Sequence, residues 1–406
     1  MSRSPARKPP AGCTVVSRNF LSYARIVGES YLQHHPGSRF YALVVDRLPE
    51  GVEAGYGIDV VEPRELDLPY FDELAFKYDV VELSTALKPT LLALLLDRED
   101  AIVYLDPDIL VLRRFDEAIQ LLESAPIVVT PHSLSPIPCD GLRPSEEGML
   151  HTGAYNLGFL GLCGSDEATK LLDWWGLRLR ESSRIDYAAG LFYDQKWFDL
   201  VPSYFAEAAI LRDPTYNVAY WNLHERMLER RDGSFLVGGR RIAFYHFSGY
   251  DPARPETLSQ RVPEDRARTQ VEPGTPLADL LSLYTGLHMR RGFPSCREWS
   301  YDFACFEDGT RVDGLLRRVY LDLDDETRTR FGNPFAVGPD SFLEWARQPS
   351  ADGLSPFLEY VYGIRSDLSA AFPDVRGHDR EAYLLWARTH GPRELGYEPC
   401  LVPAPG

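Results

Sequence analysis

The stretch Ile102-Val103-Tyr104-Leu105-Asp106-Pro107-Asp108-Ile109-Leu110-Val111 decides the fold. An apolar strand runs into two carboxylates one residue apart, and a second apolar run follows. A desolvated carboxylate without a partner is costly, so a pair at the end of a buried strand indicates a site. In an open α/β sheet, ligands bind at the carboxyl ends of the strands. Two hard oxygen ligands there suit Mg²⁺ or Mn²⁺, with an anionic substrate completing the coordination shell.

The sequence before this stretch alternates strands and helices. A strand at 14–16 leads into a helix at about 21–33, and a second strand follows at 40–45. This order predicts an α/β protein with a mostly parallel sheet. Further strands are predicted at 59–61, 126–129 and 155–160, with helices at 87–96 and, after a capping Ser165, at 167–179.

Composition excludes several classes of function. The chain has 406 residues, and its formal net charge of −17 argues against nucleic-acid partners and a polybasic membrane patch. The six cysteines include no Cys-x-x-Cys pair, which fits a reducing compartment better than a disulfide framework. The sequence shows no signal peptide and no transmembrane segment, so we expect a cytoplasmic protein.

Composition shifts also suggest a domain plan. We expect a disordered N-terminal segment at 1–12, a sheet-based catalytic domain at 13–250, a Pro-, Arg- and Glu-rich linker at 251–276, and a mostly helical module at 277–406. The favoured interpretation of the helical module is a buttress with a core of aromatic residues. Acceptor binding or homo-oligomerisation through this module remains open.

The two aspartates have alternative explanations. Pro107 suits a strand end because it cannot donate to a sheet ladder, so Asp106 and Asp108 could be solvated residues of a terminating turn. They could also belong to a haloacid-dehalogenase-type phosphatase that uses Asp106 as its nucleophile. That motif normally opens its domain, whereas about 100 residues of sheet come first here.

Two basic residues could join the carboxylates. Lys88 begins the helix that precedes the Asp106 strand, and a crossover helix begins at the sheet edge where the next strand ends, so Lys88 could meet a phosphate there. The alternative is an exposed lysine. His246 ends an apolar run and could be a third metal ligand or a buried core residue. Gly249 would let a backbone amide approach a phosphate.

Together these motifs resemble the retaining GT-A glycosyltransferases of family 8, the group of glycogenin and the bacterial lipopolysaccharide galactosyltransferases. Five stations occur in the family's order, over roughly residues 13–250. They are Lys88, Asp106-Pro107-Asp108, Asn156-Leu157-Gly158, Asp194-Gln195 and His246-Phe247-Ser248-Gly249. The resemblance implies the GT-A fold, a Rossmann-like, mostly parallel mixed sheet flanked by helices.

The resemblance also implies a role for each matching residue. The implied ligands of Mn²⁺ or Mg²⁺ are Asp106, Asp108 and His246. The residues implied to bind the nucleotide-sugar donor, which is expected to be a UDP-sugar, are Val15, Val16, Ser17, Asn19, Lys88 and Gly249. The residues implied to face the transferred sugar are Asn156, Asp194 and Gln195.

The last station departs from the family pattern. The family continues from its glycine through Lys-Pro-Trp, and the lysine grips the phosphates, whereas Gly249 is followed by Tyr250-Asp251-Pro252. The lysine's role is therefore empty or filled by another residue, of which Arg254 is a candidate.

The function implied by the resemblance is metal-dependent transfer of a sugar to a glycan, lipid-linked or protein acceptor, with retention of anomeric configuration. Bacterial cell-surface polysaccharide synthesis is the expected setting. The alternative is a sugar-nucleotide- or glycan-binding protein without catalysis, and the phosphatase is a more distant one.

Overall fold

A computed structural model describes residues 9–350 and 353–403 of the chain. Most of the predicted N-terminal disordered segment lies outside the described residues, but Ala11 and Gly12 already belong to the first strand. The chain forms two compact units. The first contains the described residues up to Asp67 together with Ser84–Trp299, and the second contains Leu68–Leu83 and the described residues from Ser300 onward.

The strands of the described chain are β1 (Ala11–Val16), β2 (Phe40–Val44), β3 (Ile58–Val61), β4 (Ala101–Leu105), β5 (Ile109–Val111), β6 (Ile127–Pro131), β7 (Tyr155–Cys163), β8 (Ile185–Asp186), β9 (Leu191–Phe192), β10 (Ala208–Ile210), β11 (Val218–Ala219), β12 (Leu228–Arg231), β13 (Ser234–Val237), β14 (Arg240–Arg241) and β15 (Phe244–His246).

The α-helices are α1 (Leu21–His34), α2 (Phe71–Lys77), α3 (Val80–Ala86), α4 (Lys88–Leu96), α5 (Asp116–Leu122), α6 (Glu146–Thr152), α7 (Asp166–Ser182), α8 (Val201–Tyr204), α9 (Pro276–Arg290), α10 (Phe293–Cys296), α11 (Gly314–Leu321), α12 (Asp325–Phe331), α13 (Phe342–Arg347), α14 (Pro356–Ile364), α15 (Ser366–Ala371), α16 (Arg380–Thr389) and α17 (Gly391–Leu395).

The main sheet of the first unit has seven strands in the order β10-β6-β7-β4-β1-β2-β3. Its neighbours are parallel except for β7, which runs antiparallel to both β6 and β4. Strands β1, β2 and β6 are buried along their whole length, as expected for a sheet with both faces covered. The predicted α/β class, a mostly parallel mixed sheet flanked by helices, is confirmed.

A small second sheet positions the two aspartates. It has the strand order β11-β15-β5, with β5 and β15 antiparallel. The chain leaves the main sheet at Leu105 and enters the small sheet at Ile109, so Asp106 and Asp108 lie in the loop between the two sheets. The carboxylate pair therefore sits where two sheets meet.

The helices predicted before residue 250 are present as α1, α4 and α7. The predicted cap of α7 is also present, because the Ser165 side chain accepts a hydrogen bond from the backbone N–H of Ala168. These elements carried the clearest local patterns in the sequence.

The unit boundaries differ from the expected domain plan. The segment at 251–276 has little regular structure, but it belongs to the first unit together with α9 and α10. The reason is apolar packing: Leu280 and Tyr284 of α9 are buried, and the Tyr284 ring stacks on Phe247 at 3.7 Å between centroids. Residues 277–299 therefore complete the sheet-based unit.

The second unit has an aromatic helical core. Phe76 of α2 packs against Tyr320 and Phe342, which are also buried. Buried Arg317 of α11 donates hydrogen bonds to the carbonyls of Phe76 and Tyr78, both at 2.6 Å, which satisfies the carboxyl end of α2. These aromatic side chains form a core, in line with the buttress interpretation.

No helix within residues 9–350 and 353–403 combines the length and apolar composition needed to cross a bilayer.

His35 makes the stability of the first unit sensitive to acid. Its Nδ1 lies 2.9 Å from the carbonyl of Tyr31, and its Nε2 accepts the backbone N–H of Phe115 at 3.0 Å, so the folded ring is neutral. Burial lowers the pKa of His35 from 6.5 to about 4. Because the unfolded chain takes up a proton first, this stabilisation is present above pH 6.5 and is lost as the pH falls towards 4.

Between pH 6.5 and pH 4, we expect His35 to lower the free energy of unfolding of the wild type by about 3 kcal/mol, and we expect His35→Gln to lack this decrease. Urea titrations across this range measure the effect. Exposed His151→Gln serves as the control and should keep the wild-type pH dependence. An unchanged pH dependence in His35→Gln would contradict the assignment.

Candidate active site

Three predicted metal ligands come together at the junction of the two sheets. The Nε2 atom of His246 lies 3.0 Å from Oδ1 of Asp108 and 3.8 Å from Oδ2 of Asp106. Their ligand atoms all lie within 4.8 Å of one another. Strand pairing brings them together, because His246 is in register with Ile109 and the N–H of Phe247 donates to the carbonyl of Asp108 at 2.8 Å.

The donor set fits a divalent cation. Two carboxylates from the loop between β4 and β5 and one imidazole from β15 match the ligands that Mn²⁺ and related ions accept. Burial lowers the pKa of His246, but Asp108 and Asp106 outweigh that effect, so its pKa is raised. Burial raises the pKa of Asp108, but the effect of His246 is larger than that of burial, so the pKa of Asp108 is lowered. The imidazole and Asp108 therefore attract one another strongly.

Asn156 fixes the orientation of the His246 ring. Its Oδ1 atom lies 3.1 Å from Nδ1 of His246 and also accepts the N–H of Gly158 at 3.2 Å. Because this oxygen can only accept, Nδ1 of His246 carries the hydrogen and Nε2 faces the carboxylates. The Asn156 amide nitrogen approaches Nε2 of His132 and Oε1 of Gln195, both at 3.4 Å. Asn156 is thus buried between the imidazole and Gln195.

Gly158 leaves the space that the imidazole occupies. A Cβ atom at this position of β7 would lie 2.4 Å from Cε1 of His246 and 2.7 Å from Oδ1 of Asn156. Any side chain here would displace the ring. The Asn-Leu-Gly motif is therefore a structural support for His246.

Lys88 lies at the predicted sheet edge, but its donors are already engaged. Its Nζ atom lies 3.1 Å from Oδ1 of Asp106, 2.8 Å from Oδ2 of Asp194 and 3.3 Å from the carbonyl of Leu157. The residue is only 3% exposed, and its ammonium lies 4.4 Å from the ring centre of Tyr104. Burial lowers the pKa of Lys88, but the two carboxylates outweigh it and raise the pKa, so the ammonium stays charged.

Asp194 and Gln195 lie at the same edge of the main sheet, where Asp194 contacts Lys88 and Gln195 contacts Asn156. Burial raises the pKa of Asp194 more than Lys88 lowers it. The Gln195 amide donates to the carbonyl of Thr152 at 2.8 Å, which fixes the side chain beside Asn156. The three residues predicted to face the sugar therefore form one connected, mostly buried group with the carboxylate cluster.

Four of the residues implied to bind the donor, Val15, Val16, Ser17 and Asn19, lie at or just after the end of β1. Cys13 is paired with Tyr104, so Val15 and Val16 run on beside the loop that follows β4. The hydroxyl of Ser17 donates to Oδ1 of Asn19 at 2.5 Å. Their place at the carboxyl end of a central strand is where ligands bind in such sheets.

Gly249 is covered by the chain itself. Its φ of +72° favours glycine, and a Cβ would lie 2.6 Å from Oγ of Ser259 and 2.7 Å from Cγ of Arg261. The predicted close approach is present, but the partner on this side is the segment at 259–261. Arg254, the predicted substitute for the family's lysine, pairs with Asp251 at 3.6 Å.

The sequence analysis did not identify three residues beside the site, which are Tyr104, His132 and Trp221. The hydroxyl of Tyr104 donates to Oδ1 of Asp106 at 2.9 Å, and alternation along a strand could have identified it, because it lies two residues before that aspartate. Trp221 packs edge-on against His246 at 5.1 Å and His132 at 5.3 Å between ring centroids. These long-range contacts leave no local pattern in the sequence.

Comparisons with known proteins find weak similarity. No protein family model matches the chain. YfnF of Bacillus subtilis (strain 168), described as uncharacterized, is 26% identical over 254 residues, which are 59% of this chain and 81% of YfnF. The galactosyltransferase LgtC, solved with donor and acceptor sugar analogs, is 15% identical with a TM-score of 0.40 and covers 68% of this chain and 95% of LgtC. Mouse xyloside xylosyltransferase 1 is 15% identical with a TM-score of 0.36, covering 59% and 97%. Similarity at this level establishes neither family nor activity.

We expect Asn156→Ala to weaken Mn²⁺ binding by about 10- to 100-fold, because the freed imidazole loses its fixed tautomer and orientation. Asn156→Asp keeps an acceptor for Nδ1 of His246 and is the matched variant that should retain the ion. Titration calorimetry with MnCl₂ compares the two. Wild-type affinity in Asn156→Ala would show that Asn156 does not orient the ligand.

Proposed function

We propose that the chain is a metal-dependent glycosyltransferase of the GT-A type, similar to family 8, that uses a nucleotide-diphosphate-sugar donor. The observation that carries this proposal is the cluster of Asp106, Asp108 and His246 at the carboxyl end of a central strand, joined by Lys88 to Asp194. A divalent ion held by the three ligands would act as a Lewis acid toward the diphosphate leaving group.

The residues around the cluster have separate roles in holding the site together and in positioning the donor. Lys88 holds Asp106 and Asp194 in place and offsets part of their charge, which preserves the metal site in a buried setting. Asp194 and Gln195 position the transferred sugar, and Asn156 orients His246. Ser17 and Asn19 at the end of β1 lie on the nucleotide side.

We further propose that the configuration at the anomeric carbon is retained. The acceptor oxygen would bond to that carbon on the face that the diphosphate leaves, and the acceptor proton would pass to a leaving phosphate oxygen. A UDP-sugar donor and a glycan, lipid-linked or protein acceptor of bacterial cell-surface synthesis, in the cytoplasm, complete the proposal.

The test begins with the wild-type chain and a panel of UDP-, GDP- and dTDP-sugars, measured with MnCl₂ or EDTA. We expect one donor base to raise the melting temperature only with the ion, by mass action. The same donor should release its nucleoside diphosphate. Asp108→Asn should reduce this release by at least about 100-fold, because a ligand of the Lewis acid is lost. Asp173→Asn, an exposed aspartate of α7, is the matched control.

The other outcomes separate the alternatives. Metal-dependent binding without any turnover would favour a binding protein. Release of inorganic phosphate from p-nitrophenyl phosphate, abolished by Asp106→Asn, would favour a phosphatase. A β-linked product from an α-linked donor, read by NMR, would overturn retention but leave sugar transfer intact.

A further inference from the structure

The proposed donor carries a diphosphate, and the cation expected from sequence to meet it is already in use. The ammonium of Lys88 already has three protein oxygen atoms within 3.3 Å, two of them from carboxylates. A phosphate would have to displace one of those partners. In a chain of net charge −17, a further free cation near the candidate ligands would favour binding of the diphosphate.

The segment at 259–261 is fixed against the turn that follows His246. The hydroxyl of Ser259 donates to the carbonyl of Ser248 at 2.8 Å, and the N–H of Gln260 donates to the carbonyl of Gly249 at 2.8 Å. Gly249 lies three residues beyond the ligand His246. The start of the Arg261 side chain is therefore held against the turn that follows the ligand strand.

The guanidinium of Arg261 is unpaired. Within residues 9–350 and 353–403 it has no hydrogen bond or ion pair, and the residue is exposed. Its Cγ atom lies only 2.7 Å from the position that a Cβ atom of Gly249 would take, three residues beyond His246. A cavity of about 210 Å³ borders the same segment, with Tyr220, Ser259 and Val262 among its lining residues. An unpaired, exposed cation thus extends from the segment that packs on the turn after His246.

Arg254 does not offer the same opportunity. Its guanidinium pairs with Asp251 at 3.6 Å. Its backbone N–H also donates to the carbonyl of Asp251 at 2.8 Å, which closes a local turn.

We propose that Arg261 binds the diphosphate of the donor and takes the place of the missing lysine after Gly249. This inference rests on the proposed function. The planar guanidinium can donate two parallel hydrogen bonds to phosphate oxygens, which a lysine cannot do. The diphosphate would then lie between a metal held by the cluster and a cation held by the 259–261 segment.

The test is calorimetry on the full chain with UDP, GDP and dTDP in MnCl₂, followed by the matching nucleoside. Arg261→Ala should weaken binding of the preferred diphosphate by about 10- to 100-fold, as expected for loss of a charge-assisted contact, and leave nucleoside binding unchanged. Arg261→Lys should give an intermediate loss. Arg254→Ala and Arg266→Ala remove other arginines of the same segment and should stay within about twofold of wild type.

A second readout separates phosphate binding from a structural role. Without nucleotide, Arg261→Ala should bind Mn²⁺ at least as tightly as wild type, because a positive charge near the ligands has been removed. Parallel loss of Mn²⁺, nucleoside and diphosphate would overturn the inference, as would wild-type diphosphate affinity in Arg261→Ala. If the wild-type chain binds none of the three diphosphates with Mn²⁺, the proposed function itself fails.

Discussion

The site depends on the cost of crowding three carboxylates at one sheet edge, one of them buried and two of them half-buried. Asp106, Asp108 and Asp194 lie at one sheet edge, and Lys88 bridges two of them. One lysine against three carboxylates leaves two negative charges close together, and their partial burial makes this repulsion costly. In the structure, His246 meets part of this demand by lying 3.0 Å from Asp108. A divalent cation would meet it in full, and the charge of the site therefore favours such an ion.

Strand pairing, more than any single contact, builds this arrangement. His246 reaches the aspartates because β15 runs antiparallel to β5, with His246 opposite Ile109. A slip of one residue would turn the imidazole to the other face of the small sheet. The glycine at 158 in β7 then leaves room for the ring. The candidate metal ligands are thus fixed by backbone hydrogen bonds, which suits a site that must be ready before its ligand arrives.

The sequence was sufficient for the parts of the site that follow from local pattern. A carboxylate pair after an apolar strand, and Lys88 at the start of the preceding helix, are consequences of parallel α/β topology, and the structure places them together. The role of Asn156 could not be predicted, because its hydrogen bond to His246 joins residues 90 positions apart. The boundary of the first unit after Trp299 could not be predicted for the same reason, because amino-acid composition does not reveal that Tyr284 packs on Phe247.

At Gly249 the sequence correctly predicts a close approach by another group but does not identify which residues make it. The sequence predicts that a backbone or ligand approaches this glycine closely, and the structure confirms the approach, but Ser259 and Arg261 make it. A lysine directly after the glycine would be fixed by the strand end alone. Arg261 instead comes from a segment that is held by hydrogen bonds to Ser248 and Gly249. Its charge is present at the site only while that segment is docked, so these backbone contacts are as much a part of the proposed diphosphate site as the guanidinium.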